Sequence, residues 1–308
     1  MSMRYQAGIV LPGYNPLKVP NAPTIGTATG GVASASVTFT APSDVGGGAI
    51  TGYSVVAIKT SDGSITITTG ASSPISVTGL AGTAYTFKVF ATNAYGPSPL
   101  SAASNSVTPL VIGGALGGGY FAGQISTAGN GVADYNLVVG PVASAQNSSI
   151  QWKIVDTTTA GTSSVINGPA NSAAMNDVTH PAAYFCEGLT IGGFSDWYMP
   201  AQNEIEVCYY NLKPTTGTNL TSFGINANAV PARASNYTSG TPAQTTAANF
   251  VVTTGAEAFI ASPNAYWNST QQQATSNYAR FQYFNNGYQG YRAKTYSSRV
   301  RAIRRVAV

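Results

Sequence analysis

The stretch "AYTFKVFATN", residues 84–93, decides the fold of the first third of the chain. Tyr85, Phe87 and Val89 recur at every second position, so an extended chain sends all three to one face. Working outward, "ASVTFT" (35–40) alternates Ala35, Val37 and Phe39 against Ser36, Thr38 and Thr40. "GYSVVAI" (52–58) places Tyr53 and Val55 together, and "ITITT" (65–69) alternates isoleucine with threonine after the turn signal "SDGS". With "PISVTGL" (74–80) and the turn "SDVGGG" (43–48), residues 19–109 read as about seven short strands, the spacing of an immunoglobulin-like sandwich.

Composition points the same way. Charged residues make up 8% of the 308 and hydrophobic residues 44%, so polarity comes from Ser, Thr, Asn, Gln and Gly. Such a chain favours strands over long Lys- and Glu-rich helices. It resembles extracellular or virion proteins more than cytosolic enzymes. The opening "MSMRYQAGIVLPGYNP" lacks an apolar run of signal-peptide length, so export by a signal peptide is not expected. No segment is apolar for long enough to predict a membrane-spanning helix.

The quoted strands carry a family likeness. "VPNAPTIGTA" (19–28), "ITGYSVVA" (50–57) and "VTGLAGTAYTFKVFATNAYGPSPLSAAS" (77–104) resemble a fibronectin type III domain. The resemblance implies a tyrosine corner, with Leu80 and Tyr85 tying a strand crossover to backbone, and Phe39 in place of an absent core tryptophan. It implies a spacer or docking module and no chemistry.

Residues 1–18 read as an extended leader, since Pro12, Gly13 and Pro16 forbid a helix. Residues 110–118 read as a linker, with five glycines between Gly113 and Gly119. Beyond it, 119–308 mixes element types. "YNLVVGP" (135–141) and "SIQWKIV" (149–155) read as strands. "HPAAYFCEGL" (180–189) reads as a helix with Pro181 in its first turn. "PAQNEIEVCYYNLK" (200–213) reads as a second, burying Ile205, Cys208, Tyr209 and Leu212. Residues 219–254 read as loops, and "AEAFIAS", "YWNST", "YARFQYF" and "SRVRAIRRV" as closing strands. This half resembles the Lcl-like C-terminal domain of bacterial surface and phage proteins, through "IGGFSDWYMPAQNEIEVCYYNL", "AYWNST", "ARFQYFNNGYQ" and "SRVRAIRR". The resemblance implies an α+β, C-type-lectin-like fold whose last strands and connections are exposed.

Catalytic signals are thin. His180 is the only histidine and reads as a helix-boundary residue; no G-x-S-x-G surrounds any serine. Two cysteines, Cys186 and Cys208, and one histidine do not supply a zinc site, and no EF-hand loop is present. They read as two small buried thiols, although one bridge is a further reading. Glu204 and Glu206 sit two apart on a helix, pointing to different faces rather than pairing across a cleft. From Ala258 onward there are seven Arg or Lys and no acidic residue. That basic tail is read as structural, with Arg299, Arg301 and Arg304 pairing Asp196, Glu204 or Glu206, rather than as a nucleic-acid surface.

The stretch "FQYFNNGYQGYR" (281–292) carries the functional expectation. Asn286–Gly287 signals a tight turn, and Tyr with Asn and Gly is the chemistry of adaptable binding surfaces. The expected reading is therefore β-rich: an immunoglobulin-like sandwich followed by the α+β domain. The function expected is that of a non-enzymatic phage virion appendage of fibre or receptor-binding type, without cofactor or metal. Its leader and sandwich would attach to other virion proteins, and its second domain would bind a host cell-surface glycan or protein. The candidate contacts are Tyr266, Trp267, Tyr278, Arg280, Gln282, Asn285, Tyr288, Gln289, Tyr291 and Lys294. A homo-oligomer, with a trimer as one form, is expected, and neither nucleic acid nor membrane insertion. The alternatives are a purely architectural head, neck or tail decoration protein and, ranked lower, a bacterial surface adhesin.

Overall fold

The structure is a computed structural model that describes residues 18–261 and 265–308. The expected leader, apart from Lys18, lies outside the described residues. The chain divides into two compact units at Val111 and Ile112.

The first unit is a sandwich of two antiparallel sheets. One contains β1 (Thr24–Gly31), β2 (Ser34–Thr40) and β5 (Ile75–Thr78), in the order β1-β2-β5. The other contains β3 (Gly52–Lys59), β4 (Ile65–Gly70), β6 (Tyr85–Asn93) and the two-residue β7 (Gly96–Pro97), in the order β4-β3-β6-β7. The alternating residues meet as expected: Val37, Val55, Val77, Phe87 and Val89 are fully buried in one core. Phe39 packs its ring 4.8 Å from that of Tyr53. The corner also forms, with the Ala81 N–H donating to the Tyr85 hydroxyl over 3.3 Å.

Beyond the two-residue β7, a serine ladder continues along the edge of β6. Ser98, Ser101 and Ser104 donate their N–H groups to the carbonyls of Ala91, Val89 and Phe87. Their hydroxyls accept the N–H groups of those same three residues over 3.0, 2.9 and 3.0 Å. A serine every third residue thus matches every second residue of β6. The prolines of "GPSPLS" cannot donate a ladder hydrogen bond, and the hydroxyls satisfy the strand edge instead.

The second unit begins inside the expected linker. Its glycine run forms a hairpin of β8 (Ala115–Leu116) and β9 (Gly119–Ile125), with positive φ at Gly117 and Gly118 making the turn. Strand β10 (Tyr135–Val139) follows, then the short α1 (Val142–Ala145) and β11 (Gln146–Gln151). Helices α2 (Gly168–Ala173), α3 (Pro181–Glu187) and α4 (Gln202–Leu212) precede β12 (Ala229–Val230). The chain closes with β13 (Ala265–Gln271), β14 (Tyr278–Tyr283), β15 (Gln289–Ala293), β16 (Ser297–Arg301) and β17 (Ile303–Ala307). One sheet runs β12-β9-β10-β17, with β8 on β9; the other runs β11-β16-β13-β14-β15. Among the described strand pairings of this unit, β13–β16 is parallel and the rest are antiparallel.

The two helices fall where the pattern placed them. Ile205, Cys208, Tyr209 and Leu212 are buried as expected. Glu204, Glu206 and Val207 are buried too, so α4 is enclosed on nearly all sides rather than amphipathic. The segment "AEAFIAS" differs from expectation: residues 256–261 form no strand. Phe259 there stacks on Phe284 at 3.8 Å and 8°, so its apolar character reflects a core contact without ladder pairing. Cys186 and Cys208 are free buried thiols in two different core clusters.

Candidate functional site

Strand β13 is central in its sheet, and each of its seven residues is buried. Its two faces enter different cores, Tyr266 with the α4 cluster and Trp267 with the Trp152 cluster. The Tyr266 hydroxyl accepts the Ile260 N–H and donates to Gln146 Oε1, while the Trp267 indole donates to the Ile150 carbonyl. Both rings were expected at a contact surface and are instead core. Gln282 and Lys294 are corrected likewise, each fully buried. Lys294 lies 4.5 Å from the Trp152 ring and donates to the Thr157 carbonyl and Gln271 Oε1. Side-chain type suggested exposure at these four positions, but β13 is buried on both faces, Gln282 is covered by Gln289, and Lys294, just past the edge strand β15, is covered by Trp152 and held by Thr157 and Gln271.

The remaining six candidates cluster on the edge hairpin β14–β15. Its register sets Arg280 opposite Tyr291 and Gln282 opposite Gln289. Period-2 alternation therefore places Tyr278, Arg280, Tyr291 and Gln289 on one face. Tyr278 and Tyr291 meet edge to face at 5.9 Å, and Tyr291 is 54% exposed. Beneath them an amide chain runs from Gln202 Nε2 to Gln289 Oε1 (3.3 Å) and from Gln289 Nε2 to Gln282 Oε1 (3.0 Å). It holds the hairpin against the N-terminus of α4.

The turn between the strands is tight. Gly287 has φ of +77°, and a Cβ there would approach the Tyr209 and Tyr237 rings at 2.6 and 2.7 Å. Only glycine fits that left-handed, crowded position. Asn286 Oδ1 accepts the Tyr288 N–H over 3.1 Å, and Asn285 is half-buried beside it.

The opposite face carries a second aromatic group that the sequence reading passed over. Arg292 lays its guanidinium 4.1 Å from the Phe281 ring centroid and 5.0 Å from that of Tyr296, and donates to the Tyr283 hydroxyl. Tyr288 packs against Phe223 at 5.2 Å and Phe281 at 5.8 Å. Tyr296 is 60% exposed. The signal that was available is the "GYR" of β15, whose arginine must face away from Tyr291 and so toward Phe281.

The basic tail is largely engaged within the unit. Arg301 pairs Glu257 at 2.7 Å, Arg304 pairs Asp196 at 2.7 Å and Arg305 pairs Glu204 at 2.8 Å. Glu206 is held by Arg233, Asn226 and the Tyr237 hydroxyl. Of the expected pairings only Arg304 with Asp196 formed as named. Among the described residues no group of three or more His, Cys, Asp or Glu side chains is placed to hold a metal ion. Open hollows of about 310 Å³ beside Tyr210 and Arg233, and about 720 Å³ beside Tyr135 and Arg305, are lined by none of the ten candidates. The candidate site is therefore an open aromatic and amide face on an edge hairpin.

These features define a strand-dominated chain whose first unit is an antiparallel sandwich. Residues 21–107 match the fibronectin type III domain, and that part of the chain is such a domain. A titin module from human cardiac muscle is 28% identical over 30% of this chain and 91% of its own, with a TM-score of 0.25. The twitchin kinase region from C. elegans is 21% identical over 30% of this chain and 17% of its own, with a TM-score of 0.28. The crystal structure of three titin domains is 26% identical over 29% of this chain, with a TM-score of 0.28. This chain covers 17% of the length of a titin kinase structure with its flanking domains and 32% of that three-domain titin structure. A search of curated proteins finds no match.

Proposed function

We propose that the chain is a non-enzymatic phage virion appendage subunit whose second unit binds the host surface through the β14–β15 hairpin. In this reading the second unit has a C-type-lectin-like fold. Helices α3 and α4 and the closing strands fall in the order that resemblance requires, which supports it. The observation that carries the binding role is the shared face of Tyr278, Arg280, Gln289 and Tyr291. Two tyrosines, a cation and an amide are held by strand register on a sheet edge, with Tyr291 more than half exposed. Rigid aromatic area beside amides suits sugar rings and protein loops alike.

The test is binding of the full chain to a panel of bacterial cells and an array of their surface glycans. Wild type is expected to bind saturably to a subset. The Tyr291→Ala variant, with unchanged thermal unfolding, is expected to lose that binding. A folded wild type that binds none of them moves the assignment to an architectural role. One observation favours that second reading. Ile65 and Ile67, 60% and 53% exposed, lie on the edge strand β4, where a neighbouring subunit could cover them.

A further inference from the structure

The loop "DTTT", residues 156–159, is stitched residue by residue to the ends of the closing strands. Asp156 accepts from the Thr295 N–H and hydroxyl, the Thr157 carbonyl from Lys294, and the Thr158 hydroxyl meets Ser276 at 2.6 Å. Thr159 sits in the most unusual place. Its hydroxyl lies 3.0 Å from His180 Nε2, and His180 Nδ1 lies 3.0 Å from both carboxylate oxygens of Asp177. Asp177 can only accept, so Nδ1 carries the proton and Nε2 is left as an acceptor for the threonine O–H. This is the hydroxyl–imidazole–carboxylate arrangement that activates an alcohol.

A carboxamide meets the backbone of the same threonine. Gln271 Oε1 accepts the backbone N–H of Thr159 over 2.7 Å and the ammonium of Lys294 over 2.5 Å. Two donors on one oxygen fix which amide atom is the carbonyl, and they polarise it as an oxyanion site would. Lys153 adds a further positive donor, 3.1 Å from the Thr159 hydroxyl. Thr159, His180, Gln271 and Lys294 are each buried, so no substrate from solution reaches the group. A reaction partner already inside the protein needs no access.

The geometry points to an intramolecular ester between Thr159 and Gln271, formed once and autocatalytically in the folded chain. Thr159 Oγ1 attacks Gln271 Cδ while His180 Nε2 takes its proton. The resulting oxyanion is held by the Thr159 N–H and Lys294. Collapse breaks the Cδ–Nε2 bond, and His180 returns the proton to the leaving nitrogen, so ammonia departs and an Oγ1–Cδ bond remains. No oxidant or co-reactant enters. Lys294 is the rival nucleophile, but its Nζ faces two acceptor oxygens, Thr157 O and Gln271 Oε1, and neither is a base positioned to activate it. His180 is held neutral because burial lowers its pKa, which suits a base. The bond would join positions 112 residues apart and staple the base of the edge hairpin in a chain whose two cysteines are unpaired.

The test is the intact mass and peptide map of the purified full chain. Wild type is expected to weigh about 17 Da less than its sequence, the mass of one ammonia, and to give a linked peptide pair carrying Thr159 and Gln271 that hydroxylamine cleaves. Thr159→Ser keeps the loss and Thr159→Val abolishes it. His180→Gln slows its appearance after refolding by roughly 100-fold or more. A folded wild type with its full sequence mass overturns the assignment. So does a linked pair carrying Lys294 in place of Thr159, or a loss confined to a single peptide. The wild-type result decides even if the valine variant does not fold.

Discussion

Arg305, on the last strand, places its Nε 2.8 Å from Oε1 of Glu204 in the first turn of α4, and the Glu204 side chain is wholly buried. The Tyr198 hydroxyl and the Ala201 N–H donate to the same carboxylate over 2.5 and 2.7 Å. Burial pushes the Glu204 carboxyl above its ordinary range, while these partners pull it back toward the charged form. The pair therefore locks α4 to β17.

Removing one partner leaves an uncompensated buried charge, which costs about 3–5 kcal/mol. Arg305→Met is expected to destabilise the second unit by that amount in urea unfolding. The double variant Arg305→Met/Glu204→Leu is expected to regain much of the loss, because it removes the stranded carboxylate. A single variant as stable as wild type would show that the pair contributes nothing net.

Acid stability should fall in two steps around the Asp177–His180 contact. Burial lowers the His180 pKa from 6.5, so the unfolded chain takes up its proton first as pH falls. Stability is full above pH 6.5 and declines through the folded-state value. Asp177 is held at about 2, chiefly by the Thr179 hydroxyl, so its contribution is present above 3.8 and fades toward 2. Denaturation midpoints from pH 8 to pH 3 should show the upper step in wild type and not in His180→Gln. The groups around the ring, Asp177, Lys153 and Lys294, remain in both proteins.

The sandwich was legible in the sequence because its strands bury one face each. "ASVTFT" and "AYTFKVFATN" write that alternation directly. Helices α3 and α4 were legible from Pro181, Pro200 and the spacing of Ile205, Cys208, Tyr209 and Leu212. The candidate site was half legible. Tight-turn chemistry at Asn286–Gly287 fixed the hairpin, but Tyr266 and Trp267 sit on a strand buried on both faces, where alternation carries no information. Gln282 is satisfied across the hairpin by Gln289, which alternation does not distinguish from an exposed pair. Lys294 is satisfied by Thr157 and Gln271, far off in sequence, and no local pattern announces a distant acceptor. The Thr159–His180–Gln271 cluster was invisible for the same reason: its members come from a loop, a helix start and a strand end.

That division separates variants of similar chemistry. Trp267→Ala removes a fully buried indole and its hydrogen bond to the Ile150 carbonyl, and is expected to cost about 3–5 kcal/mol. Tyr291→Ala removes a side chain 54% exposed, and should change stability by no more than about 0.5 kcal/mol. Thermal unfolding of the two variants checks this. A tyrosine variant as unstable as the tryptophan one would mean that Tyr291 is a packing residue.

The serine ladder makes the last prediction. Ser101 is 5% exposed, and its hydroxyl accepts the Val89 N–H over 2.9 Å while donating to the Ala102 carbonyl over 2.7 Å. Ser101→Ala keeps the backbone path and the hydrogen bond from its own N–H to the Val89 carbonyl. It deletes the acceptor, and the Val89 N–H is left buried in the middle of β6 without a partner. An orphaned buried donor costs about 1–3 kcal/mol. Ser104→Ala lies nearer the surface, where water can take the place of the hydroxyl toward Phe87, so its cost should be smaller. Unfolding of the sandwich in denaturant, followed by amide exchange at Val89 and Phe87, separates the two. Equal and negligible effects would mean that the backbone pairing alone closes the strand edge.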